Sequence, residues 1–141
     1  FGFQNKMVQM IDDFGIKQKI HLITNPSRED VIAAYSESEF LVLPSRWELS
    51  PLTPLEGFAF KKPVISTNVH GIPSTITDRK NGILVKNEDS HELAEAIMEL
   101  INDKQKCLEY GLSGYNLVKT ECNSKSMTEK TLRMYNQIIN R

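Results

Sequence analysis

The segment that most strongly constrains the fold covers residues 43–67 and reads LPSRWELSPLTPLEGFAFKKPVIST. It opens with the end of an apolar run that Pro44 closes, and it ends with a second apolar run that begins at Pro63. A polar loop and a short helical pattern lie between the two runs. Each run is short, apolar throughout and bounded by turn residues, which is typical of strands buried on both faces of a parallel sheet. The segment therefore predicts a strand, a loop, a helix and a strand in a βαβ arrangement.

The same alternation of extended and helical patterns continues on both sides of this segment. Strands are predicted at residues 20–24, 40–43, 63–67 and 82–85. Strands that alternate with helices are typical of the α/β class. The expected fold is a Rossmann-like parallel sheet flanked by helices, followed by further helices at the C-terminus.

Two helices are predicted before the decisive segment from apolar residues spaced three or four apart. The first ends at Gly15, a natural left-handed cap, and its apolar face consists of Met7, Met10, Ile11 and Phe14. The second begins after Ser27, whose hydroxyl can cap the first amides, and its expected buried side consists of Val31, Ala34 and Tyr35.

Three helices are predicted after Ser90, where the strand pattern stops. The first has an apolar stripe made of Leu93, Ala96, Ile97, Leu100 and Ile101. The second covers residues 104–119, and its internal Gly111 and Gly114 predict either close packing or a break, since each glycine costs roughly 1 kcal/mol against Ala. The third opens with a capping box at residues 126–129, and its stripe, also expected to be core, consists of Leu132, Tyr135, Ile138 and Ile139.

Composition and length exclude several classes of function. The chain has 17 Lys and Arg against 18 Asp and Glu, with no basic run that would point to nucleic acid or anionic lipid. Cys107 and Cys122 lack the spacing of a metal or redox motif and are interpreted as reduced thiols. No apolar stretch approaches the roughly 20 residues of a spanning helix, so no transmembrane segment is expected. The length of 141 residues predicts a single domain covering 1–141. Since the first residues also do not read as a signal peptide, a cytoplasmic setting is expected.

The loop at residues 44–53 is the expected ligand site, because ligands of parallel α/β sheets bind beyond the carboxyl ends of the strands. The helix after the loop presents unpaired N–H groups and a partial positive charge, which suits a diphosphate. Glu48 and Glu56 bracket the loop with seven residues between them. Each carboxylate can accept hydrogen bonds from both hydroxyls of a vicinal diol, as a ribose or hexose offers. The pattern therefore favours a phosphate-bearing ligand with sugar hydroxyls.

Several motifs occur in an order that resembles a known family. PS at residues 44–45, the pair Glu48 and Glu56, and KPVI at residues 62–65 look like the E-x7-E signature of the GT-4-type retaining glycosyltransferases. HGIP at residues 70–73 is similar to that family's Gly-Gly-x-Pro loop, and NGILV at residues 81–85 is similar to its Asn-Gly-x-Leu-Val. The resemblance covers almost the whole chain. It implies the C-terminal, donor-binding half of a two-domain GT-B fold, lacking its leading strands.

The resemblance also implies a reaction and roles for the two glutamates. Glu48 would be the catalytic residue, in contact with hydroxyls of the donor sugar near the reacting centre, and Glu56 would hold the nucleotide ribose. The donor would be a UDP- or GDP-sugar, and a glycan or lipid-linked acceptor would receive the sugar with retention, without a metal or other cofactor. An N-terminal domain outside this chain would bind the acceptor, so we expect the chain alone to be inactive. The full enzyme is expected in the cytoplasm or peripherally at the inner membrane face.

The chain departs from the family pattern in two loops. The family has Gly-Phe-Gly after the first glutamate, whereas this chain has LSP at residues 49–51, and Pro51 has no N–H to give to a phosphate. In the later loop His70 and Gly71 replace the glycine pair and are candidate donor contacts. The candidates for holding the diphosphate, by amide or side chain, are Arg46, Ser50, Leu52 and Thr53.

Four of the candidate residues also have a purely structural interpretation. Glu56 could close a capping box with Thr53, while Glu48, Arg46 and His70 could be ordinary solvated loop residues. The chain would then be a non-catalytic Rossmann-like module that binds a nucleotide or a protein. A dinucleotide-dependent oxidoreductase is set aside, because no G-x-G-x-x-G follows a predicted strand.

Overall fold

The computed structural model describes residues 2–140, with side chains from Gln4 onward. These residues fall into two compact units, one that reaches Val31 and one that begins at Ile32. The first unit contains helix α1 (Gly2–Asp13) and a 3-10 turn (Lys17–Lys19). Helix α2 (Arg28–Glu37) begins in the first unit and ends in the second.

The first predicted helix and its end are confirmed by α1. Gly15 follows the helix in a left-handed conformation with φ of 62°, where a residue without Cβ is favoured. Of the predicted apolar face, Ile11 is buried, whereas Met7, Met10 and Phe14 are exposed.

The predicted start of α2 is confirmed as well. The Ser27 hydroxyl accepts a hydrogen bond from the Asp30 amide at 3.1 Å, and the Asp30 carboxylate accepts one from the Ser27 amide at 2.9 Å. Val31 and Tyr35 are half-buried, but Ala34 is exposed, so its predicted burial was wrong. Val31 and Tyr35 are four apart and share one narrow face, and Ala34 lies at the margin of that face.

Residues 20–24 do not form the predicted strand. Ile20 has an extended backbone, with φ of −122° and ψ of 125°, but its amide donates to the Lys17 carbonyl rather than to a neighbouring strand. Leu22 and Ile23 are exposed. A strand exists only where its N–H and C=O groups pair with another strand, and apolar composition does not supply that partner. The prediction was therefore wrong for this segment.

The three other predicted strands are confirmed as β1 (Leu41–Leu43), β2 (Val64–Thr67) and β3 (Gly82–Val85). They pair in parallel in the order β1-β2-β3. All four residues of the central β2 are buried, as expected for a strand covered on both faces. With its flanking helices this sheet is the predicted Rossmann-like α/β fold.

The helices of the second unit follow the predicted order. They are α3 (Thr53–Ala59), α4 (Ser90–Asn102), α5 (Lys104–Thr120) and α6 (Ser124–Ile139), with a 3-10 turn at Ile72–Ser74 between β2 and β3. Among residues 2–140, no helix is both long and apolar enough to cross a lipid bilayer.

The core of the second unit consists of two clusters, because successive side chains of β2 point to opposite faces. One cluster includes Phe58 of α3 and is made of Phe58, Val64, Val69, Ile72 and Ile76. The other includes two residues of α4 and is made of Ile65, Ile83, Val85, Ala96 and Leu100. The predicted stripe of α4 is thereby confirmed, except that Ile101 is 49% exposed at its edge.

The glycines of α5 mark close packing rather than a break, since the helix is continuous through both. A Cβ added to Gly114 would lie 2.2 Å from Cδ1 of Phe58, and one added to Gly111 would lie 2.0 Å from the Lys61 carbonyl oxygen. Both distances are far shorter than a van der Waals contact. The glycines therefore let α5 approach α3 and the turn after it.

Two predictions for α6 were wrong. The helix begins at Ser124 rather than after the predicted capping box, because the Asn123 side chain caps it by accepting from the Ser126 amide at 2.9 Å. Asn is as good an N-cap as Ser, and it occurs earlier in the chain. The stripe expected to be core is exposed at all four positions, namely Leu132, Tyr135, Ile138 and Ile139.

Candidate functional site

The candidate site lies at the carboxyl ends of the three parallel strands, where the loop at residues 44–52 leaves β1 and enters α3. The loop is held to β2 at its beginning. The Ser66 hydroxyl donates to the Leu43 carbonyl at 2.7 Å, and the Thr67 hydroxyl donates to the Ser45 carbonyl. These two polar side chains of β2 are buried, so the bonds fix the first turn of the loop against the sheet.

A second loop holds the middle of the first. The Gly71 amide donates to the Glu48 carbonyl at 3.0 Å. A Cβ on Gly71 would lie 1.5 Å from the carbonyl oxygen of Leu49, so only glycine fits at this approach. Gly71 therefore positions the backbone of Glu48, which is a role beyond the donor contact that the sequence suggested.

Glu48 is half-buried, and its Oε1 accepts a hydrogen bond from the Ser45 hydroxyl at 3.1 Å. This interaction spans three residues within the loop and orients the carboxylate. Glu48 is therefore not a freely rotating surface charge.

Glu56 lies in the first turn of α3, and its Oε2 accepts a hydrogen bond from the Tyr35 hydroxyl at 2.8 Å. The alternative of a Thr53 capping box is wrong. The N-cap is Leu52, which makes no side-chain capping bond, and the Glu56 amide donates to the Leu52 carbonyl at 3.0 Å. The Glu56 side chain is therefore available for a role other than capping.

Tyr35 is a neighbour of Glu56 that the sequence does not predict. Burial first, and then the hydrogen bond and negative charge of Glu56, raise the pKa of Tyr35 to about 12. Its ring stacks on Phe60, with centroids 5.5 Å apart and planes at 20°. The sequence places Tyr35 on the inner face of α2, but no local signal links it to a residue 21 positions away.

The remaining candidates lie at different points around the loop. Arg46 is paired with Glu88, with Nε and Oε1 2.9 Å apart, and both side chains are largely exposed. His70 is exposed, has a left-handed φ of 42°, and lies beside Trp47 with ring centroids 5.9 Å apart. Ser50 and Leu52 are exposed and Thr53 is half-buried.

A shallow cavity of about 230 Å³ opens at the ends of all three strands. Its lining includes Pro44 and Arg46 after β1, Thr67 at the end of β2, and Lys86 and Glu88 after β3. Polar and charged groups from three strand ends thus converge on one concavity, a usual place for ligands of open parallel sheets. Of the candidate residues, Arg46 lines this concavity, whereas Glu48 and Glu56 do not. Within residues 2–140, no group of three His, Cys, Asp or Glu side chains could hold a metal ion.

Comparison with known sequences identifies the family of the chain. The family model described as glycosyl transferases group 1 matches residues 2–116. An uncharacterized glycosyltransferase of Methanocaldococcus jannaschii is 35% identical over 71% of this chain and 29% of its own length. The poly(ribitol-phosphate) alpha-N-acetylglucosaminyltransferase of Staphylococcus aureus is 26% identical over 94% of this chain and 27% of its own length. The chain therefore spans less than a third of the length of these relatives.

Comparison with solved structures gives the same fold. The C-terminal domain of a glycosyl transferase group 1 family protein from Francisella tularensis superposes with a TM-score of 0.78, at 27% identity, over 88% of this chain and 64% of that domain chain. A protein of Anabaena crystallised with UDP superposes with a TM-score of 0.86 over 97% of this chain and 38% of its own, at 19% identity. The second likeness concerns the fold alone.

Proposed function

Because this chain belongs to the family of glycosyl transferases group 1, with the fold of the C-terminal domain of a GT-B enzyme, we propose that it binds the nucleoside-diphosphate sugar donor of a retaining glycosyl transfer. The observation that carries the proposal is that each of the two glutamate carboxylates is held by a hydrogen bond from a neighbouring hydroxyl. Ser45 bonds to one oxygen of Glu48, and Tyr35 bonds to one oxygen of Glu56. Each bond orients one carboxylate, and an oriented carboxylate is a suitable acceptor for sugar hydroxyls.

Glu56 would accept hydrogen bonds from the ribose hydroxyls of the nucleotide. Its backbone is fixed, because it lies in α3 between Leu52, whose carbonyl accepts its amide, and Phe58, which is fully buried. An exposed carboxylate on a fixed backbone suits a diol that approaches from solvent. This role follows the resemblance to the E-x7-E signature.

Glu48 would contact hydroxyls of the donor sugar beside the anomeric carbon. In the transfer, the bond from the anomeric carbon to the diphosphate oxygen breaks, and its electron pair leaves with the diphosphate. The acceptor hydroxyl oxygen forms the new bond on the same face, and its proton passes to the departing diphosphate. A carboxylate near the sugar stabilises the positive charge that develops at the anomeric carbon in such a step.

The diphosphate would be held by backbone and side-chain donors of the loop. Leu52 and Thr53 have amides at the start of α3, Ser50 has an exposed hydroxyl, and Arg46 has an exposed guanidinium now paired with Glu88. Pro51 is buried and offers no N–H. These donors would gain strength as negative charge grows on the leaving diphosphate. In this proposal the Arg46 guanidinium leaves Glu88 and pairs with the diphosphate instead. His70 and Gly71 would border the donor sugar.

The proposal includes transfer without a metal ion. Its measurable consequence is that excess EDTA leaves both donor binding and transfer rate unchanged. The acceptor would be a glycan or lipid-linked molecule bound by a further domain of the full-length protein, which is supported by the small share of its relatives that this chain spans.

The decisive experiment is isothermal titration of the protein with UDP-, GDP- and ADP-sugars, using the full-length form beside the 141-residue chain. We expect one nucleotide to bind, and Glu56→Gln to weaken it by roughly 1.5–3 kcal/mol, the scale of a hydrogen bond to a charged group. Glu129→Gln, at an exposed position of α6, is the matched control and should bind like the wild type. No binding by either form would overturn the proposal and favour the non-catalytic module.

A further inference from the structure

We infer that Tyr35 is a positioning residue for Glu56, holding one carboxylate oxygen so that the other is presented to the ribose of the bound nucleotide. This inference rests on the proposed function of Glu56. The contact that carries it is the 2.8 Å hydrogen bond from the Tyr35 hydroxyl to Oε2 of Glu56. The two residues come from different helices, α2 and α3, so the bond is a tertiary contact rather than a consequence of local structure.

The Tyr35 ring is itself fixed in place. It stacks on Phe60, which directly follows α3, so Tyr35 contacts the helix near its start through its hydroxyl and beyond its end through its ring. Stacked aromatic pairs at this separation are favourable beyond the area they bury. The hydroxyl is therefore held in position by the ring, and it reaches Glu56 from a defined direction.

The backbone beneath Glu56 is equally constrained. A Cβ on Gly57 would lie 3.1 Å from the methyl groups of Leu41, so α3 packs closely on β1 at the next residue. Phe58, one residue further, is fully buried. With the backbone fixed, the remaining freedom of Glu56 is rotation of its side chain about three bonds. The bond from Tyr35 restrains that rotation before the nucleotide binds. Ribose binding therefore costs less side-chain conformational entropy.

The same bond gives the two carboxylate oxygens of Glu56 different partners. A carboxylate has two acceptor oxygens, each with two lone pairs. Oε2 is engaged by a phenol that keeps its proton far above neutral pH, because burial and Glu56 raise the pKa of Tyr35 to about 12. Tyr35 is therefore a permanent donor at physiological pH. Oε1 is left to face an external diol.

The test compares nucleotides that have and lack ribose hydroxyls. The probes are UDP, GDP and ADP, each beside its 2′,3′-dideoxy analogue, in titrations of the full-length protein and its Tyr35→Phe and Glu56→Gln variants. Tyr35→Phe keeps the ring and its stacking on Phe60 and removes only the hydroxyl. We expect the wild type to prefer the ribose form by at least tenfold, and Tyr35→Phe to reduce that preference about three- to tenfold while the dideoxy form binds as before.

The ratio distinguishes positioning from a general structural role, because a loosened fold would weaken both forms of the nucleotide together. In the double variant Tyr35→Phe with Glu56→Gln, the preference should be no lower than in Glu56→Gln alone, since Tyr35 acts through Glu56. Tyr115→Phe, a half-buried tyrosine on α5, is the matched control and should keep the wild-type preference.

A second measurement tests the contact without any nucleotide. Absorbance at alkaline pH, taken as the difference between wild type and Tyr35→Phe, reports ionisation of Tyr35. In Glu56→Gln the pKa of Tyr35 should fall part of the way toward its ordinary value of 10.0, because the carboxylate contribution is lost and burial is kept.

The outcomes separate the two ideas. If the wild type binds no nucleotide, the proposed function fails, and the ribose role of Tyr35 fails with it. If the wild type binds and prefers ribose but Tyr35→Phe keeps that preference in full, the positioning role alone is overturned.

Discussion

Gly71 is a residue of the candidate site at which the structure leaves no space for a side chain. Its amide bonds to the Glu48 carbonyl, and its missing Cβ leaves space for the Leu49 carbonyl oxygen, which would otherwise lie 1.5 Å away. We expect Gly71→Ala to lower the free energy of unfolding by about 1–3 kcal/mol, the usual range for overpacking, because two loop backbones must move apart. Urea denaturation measures this change.

The control for Gly71→Ala is Asn68→Ala, an exposed position between β2 and the same loop. It should change the free energy of unfolding by less than about 0.5 kcal/mol. Equal stability of Gly71→Ala and the wild type would show that the two loops do not approach as closely as the structure has it.

Glu48 and Glu56 were identified from sequence because their spacing and the order of the surrounding motifs are one-dimensional features. Their partners differ in this respect. Ser45 lies three residues before Glu48, within reach of local reasoning, whereas Tyr35 meets Glu56 across 21 positions. Arg46 and Glu88 meet because β1 and β3 end at the same edge of the sheet. Such contacts depend on packing geometry that residue types alone do not encode.

Among the elements, α5 offers a test in which helix propensity and packing predict opposite signs. Alanine is favoured over glycine in a helix by roughly 1 kcal/mol. A Cβ at Gly114, however, would lie 2.2 Å from the fully buried ring of Phe58. We expect packing to dominate, so Gly114→Ala should lower the free energy of unfolding by about 1–3 kcal/mol. Asn116→Ala, exposed on the same helix, should instead raise it by a few tenths of a kcal/mol. A stabilised Gly114→Ala would contradict the close approach of α5 to α3.

A charged cluster between α4, α5 and the turn before β3 makes stability depend on pH. The Glu99 carboxylate bonds to Arg79 and, at 2.9 Å, to Lys106. Hydrogen bonds from Arg79 first, and then from Lys106, hold the pKa of Glu99 below its ordinary value of 4.5. The unfolded chain therefore binds the proton at a higher pH than the folded chain. The contribution to stability is present above about pH 4.5 and is lost as the pH falls through the lowered folded value.

Glu99→Gln should accordingly destabilise the protein at pH 7 and have a smaller effect near pH 3, where the unfolded chain is protonated at this position. Urea denaturation of wild type and variant at both pH values measures the difference. Glu129→Gln, at an exposed position of α6, is the control and should have little effect at either pH. A Glu99→Gln effect that is the same at pH 7 and pH 3 would exclude the charged contacts as its cause.

Local patterns are enough to predict the helices, whereas a predicted strand also needs a partner strand. Strands β1, β2 and β3 are apolar runs that pair with one another, and α4 has a stripe that packs on the sheet. Residues 20–24 also contain apolar residues, but the Ile20 amide donates to the Lys17 carbonyl rather than to a neighbouring strand. The start of α6 was missed because two good caps, Asn123 and Ser126, lie three residues apart and only the first is used. An apolar run therefore identifies a segment that could form a strand, and pairing with another strand decides whether it does.

At the scale of the whole molecule, two apolar helix stripes differ in burial, since the stripe of α4 is largely buried and that of α6 is exposed. Leu100 of α4 is fully buried in the core cluster that includes Ile65. By contrast, Leu132 and Ile138 of α6 are 55% and 66% exposed. Their helical spacing alone does not distinguish the two cases, because both stripes repeat every three or four residues. Burial therefore separates core from surface here, and it predicts unequal costs for the same substitution.

Leu100→Ala should lower the free energy of unfolding by about 2–5 kcal/mol, because it removes buried methyl groups and leaves a cavity. Leu132→Ala and Ile138→Ala should each change it by no more than about 0.5 kcal/mol, because their side chains are already in contact with water. Urea denaturation of the three variants at one protein concentration provides the comparison. On an exposed helical face, the higher helix propensity of alanine offsets the small loss of buried apolar area. A loss of stability above about 1 kcal/mol in either α6 variant would therefore show that this stripe is covered in solution.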